Sequence, residues 1–353
     1  MIVLRPFAEE DNAALLEIEK LCPQGNDKIA EAMDKSPDIT ARYRLYDNWE
    51  IFVAEEENRV AGWIGWTVKQ NADGKKYAYL AEVIIHPDFR RRGIATELMN
   101  KAETELKRKG VSYTYCYVFE ANDASNAMVV KNGYQRVGEV QVQAIPVYKE
   151  RKLAPQFSIR PAGRDDIQDI VDLINGYYAG RTHFSAYTAE SFEAHVKNIP
   201  GYDMDNLWVA FSGDSIVACA GLWDIAPIAR MYYAKEPATM RILGVVFNFL
   251  DHFTSMPMIP AENEPFATQY ITDHAFTPEG TQAMSNLIRY LNNIVLECQG
   301  NFIVGIHSPD DPMVQVMKGL RTMVEKWNVF TKLLDNGTIS LEPLYLDIRD
   351  FSA

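Results

Sequence analysis

At 353 residues the chain exceeds what one ordinary core holds, which implies at least two domains. Hydrophobic residues make up 47% and charged residues 24%, with aromatics throughout, which describes a globular protein and excludes a disordered one. A formal net charge of −13 excludes a broadly basic nucleic-acid footprint.

In chain order, "IVLRP" reads as a strand and "AEEDNAALLEIEKLC" as an amphipathic helix with acidic residues in its first turn, where the helix dipole favours them. "EIFVAEEENRVAGWIGWTV" reads as a hairpin turning near Glu56, Glu57 and Asn58. "KYAYLAEVIIHP" is a long strand stopped by Pro87. Ile94, Leu98, Ala102 and Leu106 then recur every four residues, which predicts a helix from Gly93 to Gly110. "SYTYCYVF" is a further strand, "NDASNAMVVKNG" a short helix with an Asn/Asp cap, and "GEVQVQAIPVYKE" a last strand or two. The order is β-α-(α)-β-β-β-α-β-α-β, an α/β layer of mixed strand direction spanning residues 1–149.

Residues 150–156, "ERKLAPQ", are polar, carry a proline and read as a linker. Residues 157–353 then echo the first plan. "VLRPFAEED" at 3–11 returns as "SIRPAGRDD" at 158–166, "IFVAEEENRVAG" as "LWVAFSGDSIVA" at 207–218, and "YLAEVIIHP" at 79–87 as "YITDHAFTP" at 270–278. Three echoes in one order point to duplication. The second copy carries inserted segments around 227–237 and 254–269, and "EGTQAM" stands where the first copy has Arg90 to Ala95. The longest apolar run, Ile242 to Leu250, is interrupted by Gly244 and Asn248 and falls far short of a membrane span. No signal peptide is expected ahead of "MIVLRPFAEED", and Cys22, Cys116, Cys219 and Cys298 lie too far apart for a disulfide framework or a zinc site. Together these predict a cytoplasmic protein with no metal, and the six histidines show no partner in sequence.

The chemistry is concentrated in "VIIHPDFRRRGIATELM". A strand ending in proline, then Arg90-x-x-Gly93-x-Ala95, then a helix, is a design for holding phosphate. First-turn amides have no helical partner and the dipole adds positive potential, while glycine lets the backbone approach a bulky anion. The pattern is neither a Walker loop nor a dinucleotide-binding fingerprint.

Together with "NDASNAMVVKNGYQRVGE" some thirty residues on, this stretch resembles the acyl-CoA-binding core of the GNAT N-acetyltransferase superfamily. The resemblance covers residues 1–150 and extends more faintly over 157–350. It implies two tandem GNAT-like domains, each a mixed, mostly antiparallel twisted sheet flanked by helices, the first intact and the second degenerate. It also implies acetyl-CoA, or another acyl-CoA, as donor. By position, the amides of Arg91, Arg92, Gly93, Ile94, Ala95 and Thr96 would bind the pyrophosphate, with Arg90 beside them. The backbone of Val83, Ile84 and Ile85 would pair with the pantetheine arm, and Asn122 and Ser125 would contact its far side.

The acid and base common in that family do not carry over: Val129 stands where a tyrosine is usual and Tyr117 where some members have glutamate. Glu82, on the central strand, is the base expected here, through a pKa raised by partial burial. Tyr134 and Tyr117 are the candidate acids. The reading that follows is transfer of an acetyl group to a small-molecule primary amine by the first domain. The second domain would cover the acceptor cleft or mediate a homodimer, and no nucleic acid or membrane is expected as partner. An acidic chain favours a cationic acceptor such as a polyamine, an amino sugar or a lysine-like amine. A protein N-acetyltransferase and a non-catalytic acyl-CoA sensor are the alternatives, since proximity alone supplies much of the acceleration in such a reaction.

Overall fold

Residues 2–25, 30–235, 260–338, 341 and 343–352 are described in a computed structural model, and the apolar run at 242–250 and part of both inserted segments lie outside them. The first half runs β1 (Ile2–Pro6), α1 (Asn12–Lys20), β2 (Gln24–Gly25), β3 (Ala30–Asp34), β4 (Trp49–Glu56), β5 (Arg59–Gln70), β6 (Lys76–Ile85), α2 (Ile94–Arg108), β7 (Val111–Phe119), α3 (Asp123–Lys131) and β8 (Gln135–Pro146). The expected hairpin turns on Glu57 and Asn58, both at positive φ, as a two-residue turn between twisted strands requires. Helix α2 buries Ile94, Leu98, Ala102 and Leu106 and stops at Gly110, whose φ is 75°. Where the sequence order left room for a second helix, the chain instead forms strand β3.

The second half follows as β9 (Ser158–Pro161), α4 (Ile167–Tyr178), α5 (Ala189–Asn198), β10 (Leu207–Ser212), β11 (Ser215–Asp224), β12 (Arg230–Lys235), β13 (Thr268–Phe276), α6 (Thr281–Glu297), β14 (Phe302–His307), α7 (Met313–Lys318) and β15 (Met323–Leu333). Its likeness to the first half is physical as well as textual. Arg5 grips Asp11 through two hydrogen bonds of 2.7 and 2.8 Å, and Arg160 grips Asp166 through two of 2.6 and 2.9 Å. A Cβ at Gly65 would overlap the Tyr43 ring, and one at Gly221 would overlap the Tyr202 ring. Each of these glycines sits at a register shift between two central strands.

The two sheets run together as twelve strands in the order β1-β4-β5-β6-β7-β15-β8-β14-β13-β11-β10-β9. The last strand, β15, lies between β7 and β8 of the first half, pairing antiparallel with both. Strand β8 in turn lies between β15 and β14. Each half therefore completes the other. A small second sheet, β12-β3-β2, joins the halves again, with Glu31 opposite Tyr233 and Met33 opposite Met231. Residues 150–156 hold no helix or strand, and Asn286, Asn292 and Asn293 of α6 pin them through hydrogen bonds to Ala154 and Arg151. Among the described residues no helix is long and apolar enough to cross a membrane.

Candidate active site

Strands β6 and β7 run parallel and pair only over Lys76–Tyr79 and Val111–Tyr115; beyond that point they diverge. One cause is visible in β6, where Gly65 faces Glu82 but Trp66 faces Leu80, leaving Ala81 as a bulge. Among the described residues the backbone of Val83, Ile84 and Ile85 consequently pairs with β5 on one side and with no strand on the other. At the mouth of this cleft Arg91 (φ 64°) and Gly93 (φ 84°) adopt left-handed conformations, and a Cβ at Gly93 would meet no atom within 4 Å. The amides of Arg91, Arg92, Gly93, Ile94, Ala95 and Thr96 donate to no group among the described residues. Successive amides turned to one side in this way form an anion-binding nest at a helix N-terminus. On the other wall Asn122 caps α3 by accepting the Ser125 amide at 3.1 Å, and both residues line the cleft.

The three arginines have separate tasks. Arg92 pairs with Glu56 at 2.9 Å, so its side chain does not line the cleft while its amide remains part of the nest. Arg90 donates to the Ile85 carbonyl at 3.1 Å and to Cys22 Sγ at 3.1 Å. Arg91 is exposed, lines the cleft and has no ion pair among the described residues.

Glu82 requires a correction. Its carboxylate is buried and accepts from Lys35 Nζ, from Arg42 Nη1 at 2.9 Å and from the Tyr43 hydroxyl at 2.8 Å. Lys35 also binds Glu19 at 2.8 Å. Burial alone would raise the Glu82 pKa, but Lys35 and Arg42 overcome it and hold the group at about 2. A carboxylate so stabilised is a poor base. Gly65 makes this arrangement feasible, because the space where its side chain would lie is filled by the Tyr43 ring that brings the hydroxyl to Glu82.

Tyr134 is likewise displaced from its expected role. It is 3% exposed, packs in the core between the sheet and α2, exchanges a hydrogen bond with Thr114 at 2.8 Å and does not line the cleft. Tyr117 does line it, stacked on Phe351 at 4.5 Å between ring centroids, and its buried hydroxyl has no partner among the described residues. Phe351 belongs to a C-terminal segment that docks on the first half. Asp350 accepts from Tyr46, Lys69 and Tyr115, each at 2.6 Å, and its carbonyl accepts from Tyr79 at 2.8 Å and Arg42 at 3.0 Å. No sequence signal marks this tail, since its partners lie some 235 to 308 residues away.

The cleft opens into a cavity of about 1280 Å³ that continues across the seam between the halves and beneath the small sheet. The equivalent groove of the second half is built differently. Gly280 has φ −81° and spends its amide on Thr277, so no nest forms. On the Tyr79–Tyr270 echo Glu82 falls on Asp273, which accepts from His195 at 3.1 Å, and Val83 falls on His274. His274, His307 and Asp311 come together there, their ligand-type atoms all within 4.8 Å, with Tyr177 on Asp311 and Tyr178 on His274. Histidines that show no partner in sequence thus acquire one through the fold. His307 is 1% exposed, and burial, then His274, pushes its pKa down to about 3.

A splayed parallel pair, an amide nest at the following helix and a second short helix across the cleft together make a site suited to a phosphate-bearing ligand with an extended arm. Residues 13–134 match the acetyltransferase (GNAT) family, and over 136 residues the chain is 30% identical to an acetyltransferase of Pectobacterium atrosepticum, covering 38% of this chain and 88% of that one. The chain belongs to the GNAT acetyltransferase family. Its fold is similar over 96% of its length to a GCN5-related N-acetyltransferase from Sphaerobacter thermophilus (TM-score 0.62, 11% identity, 97% of that chain). It is similar over the same share to a tandem GNAT protein from the clavulanic acid biosynthesis pathway (TM-score 0.59, 13% identity, all of that chain). Saccharomyces cerevisiae N-myristoyltransferase shares the fold over 94% of this chain and 78% of its own (TM-score 0.58, 11% identity).

Proposed function

We propose that the first half binds acetyl-CoA and transfers its acetyl group to a small-molecule primary amine held in the cavity at the seam. The observation that carries this reading is the unspent nest from Arg91 to Thr96 at the mouth of a splayed cleft that continues into a large cavity. The nest suits a diphosphate, and the unpaired edge of Val83 to Ile85 suits an extended amide chain laid as an added strand. When bound, acetyl-CoA supplies a thioester: the neutral amine nitrogen forms a C–N bond to its carbonyl carbon, the C–S bond breaks, and the thiolate takes a proton.

An arm entering from the nest runs along β6 toward the apex at Tyr79 and Tyr115, where Tyr117 stands with an unspent hydroxyl. Tyr117 is the proton donor this placement favours. Burial keeps its pKa well above the ordinary value, so it is protonated at neutral pH. The proton that the ammonium must lose cannot go to Glu82, whose pKa is held at about 2. Glu19 lines the same end of the cavity, has one carboxylate oxygen without a partner, and has its pKa raised by burial against the pull of Lys35. It is the carboxylate the site offers as base. The small sheet over the acceptor space supports a small molecule in preference to a protein surface.

Calorimetric titration with acetyl-CoA of the full chain and of Gly93→Glu tests the donor site. One site, lost when a carboxylate fills the nest, is expected. An absence of binding to the unaltered chain, or binding that survives the substitution, overturns the reading.

A further inference from the structure

The part of the cavity beneath the small sheet has a recognisable chemistry. In an antiparallel pair, directly opposed residues project to the same face. Glu31 opposite Tyr233 and Met33 opposite Met231 therefore share the inner face of the small sheet, and all four line the cavity. The large sheet forms the other wall. Glu325 opposes Val142, which opposes Ile306, and in the next row Met323 opposes Ala144, which opposes Val304 beside Tyr270. One glutamate thus comes from each half of the chain and from each wall.

Neither glutamate has an ion pair or hydrogen bond among the described residues; the Trp327 indole N–H approaches Glu325 without reaching hydrogen-bond geometry. Tyr270, 5% exposed, lines the same space with its hydroxyl unpartnered among the described residues. Phe266 packs edge-on between Tyr233 at 4.9 Å and Phe302 at 5.4 Å, so the remaining wall is aromatic. Burial and then Glu325 push the Glu31 pKa up to about 8, and burial raises that of Glu325. Two carboxylates in such surroundings do not both ionise without a cation between them.

An ammonium group meets every one of these features. Its three N–H donors satisfy both carboxylates and a tyrosine hydroxyl, and aromatic faces attract it as well. The pair is also remote from the reacting end. Val329 opposes Tyr117, and Glu325 lies four residues further along β15, about 13 Å at roughly 3.3 Å per residue. We propose that Glu31 and Glu325 form an anchoring site for the distal ammonium of a linear diamine or polyamine, whose other amino group reaches the thioester. The inference rests on the acetyltransferase reading for the identity of the reacting end, while the anchoring site itself can be tested without it.

The test is calorimetric titration of spermidine, with butylamine as the single-amine control, into the full chain without added CoA. The unaltered chain, Glu325→Gln and Glu31→Gln are compared. Each substitution replaces a carboxyl that has no ion pair or hydrogen bond among the described residues by a neutral group of the same shape, so both variants are expected to fold, and unchanged melting temperatures check this. Expected is binding of spermidine that weakens by at least about tenfold in each variant, with butylamine bound weakly and equally by all three. Failure of spermidine to bind the unaltered chain, equal binding of both amines, or indifference to both substitutions overturns the site. A parallel titration with acetyl-CoA separates the two readings. Spermidine bound without acetyl-CoA binding leaves the anchor and sinks the acetyltransferase reading; acetyl-CoA bound without spermidine does the reverse.

Discussion

Glu82→Gln separates a structural anion from a catalytic base. In the native fold the carboxylate neutralises Lys35 and Arg42, which are 4% and 3% exposed, and it accepts the Tyr43 hydroxyl. Lys35 and Arg42 hold its pKa down from an ordinary 4.5 to about 2, which corresponds to a contribution of about 3 kcal/mol to stability. Breaking a buried pair by removing one partner gives a similar figure, about 3–5 kcal/mol. The sign follows from the depressed pKa: the contribution is complete above pH 4.5 and fades as pH falls toward 2. The variant is therefore expected to lose about 3 kcal/mol in urea unfolding at pH 7, and the gap to the unaltered chain should narrow to about 1 kcal/mol near pH 3. A variant of native stability, with the acid limb of its rate profile displaced, would refute the reasoning and restore Glu82 as a base.

Gly65→Ala should cost about 1–3 kcal/mol, because the new methyl overlaps the fully buried Tyr43 ring, and Gly221→Ala should do the same through Tyr202. Unchanged thermal melting of either variant would contradict the packing described. Residues 1–149 expressed alone should aggregate, since both neighbours of β8 come from the second half, leaving a twelve-residue strand and the β7 edge unpaired. Co-expression with residues 150–353 should recover a soluble complex, judged by size-exclusion chromatography; a monomeric folded fragment would count against the interlocked sheet.

What the sequence made legible was local. The hairpin at Glu57–Asn58, the stripe of α2 and the nest at Gly93 are each written within a few residues, because turn chemistry, helical period and amide geometry act over that range. The duplication was legible for the same reason, as Arg5–Asp11 and Arg160–Asp166 are short-range grips. The expected base failed because the charge state of Glu82 depends on Lys35 and Arg42, 47 and 40 residues away, and nothing in a strand pattern reports them. Strand β3 was missed because its partner β12 lies some 200 residues on. The acceptor space was invisible for that reason too, being walled by Glu31 and Glu325 from opposite ends of the chain.

The interleaving of β15 with β8, and the seating of Asp350 and Phe351 against Tyr79, Tyr115 and Tyr117, bear on how the protein is made. Synthesis delivers the nest early, while β15 and the residues packed against Tyr79, Tyr115 and Tyr117 emerge much later. The first half thus finishes folding only after most of the second half has been made. A nascent chain stalled before residue 323 would hold the nest and the edge of β6 and still lack the strand that pairs with β7 and β8.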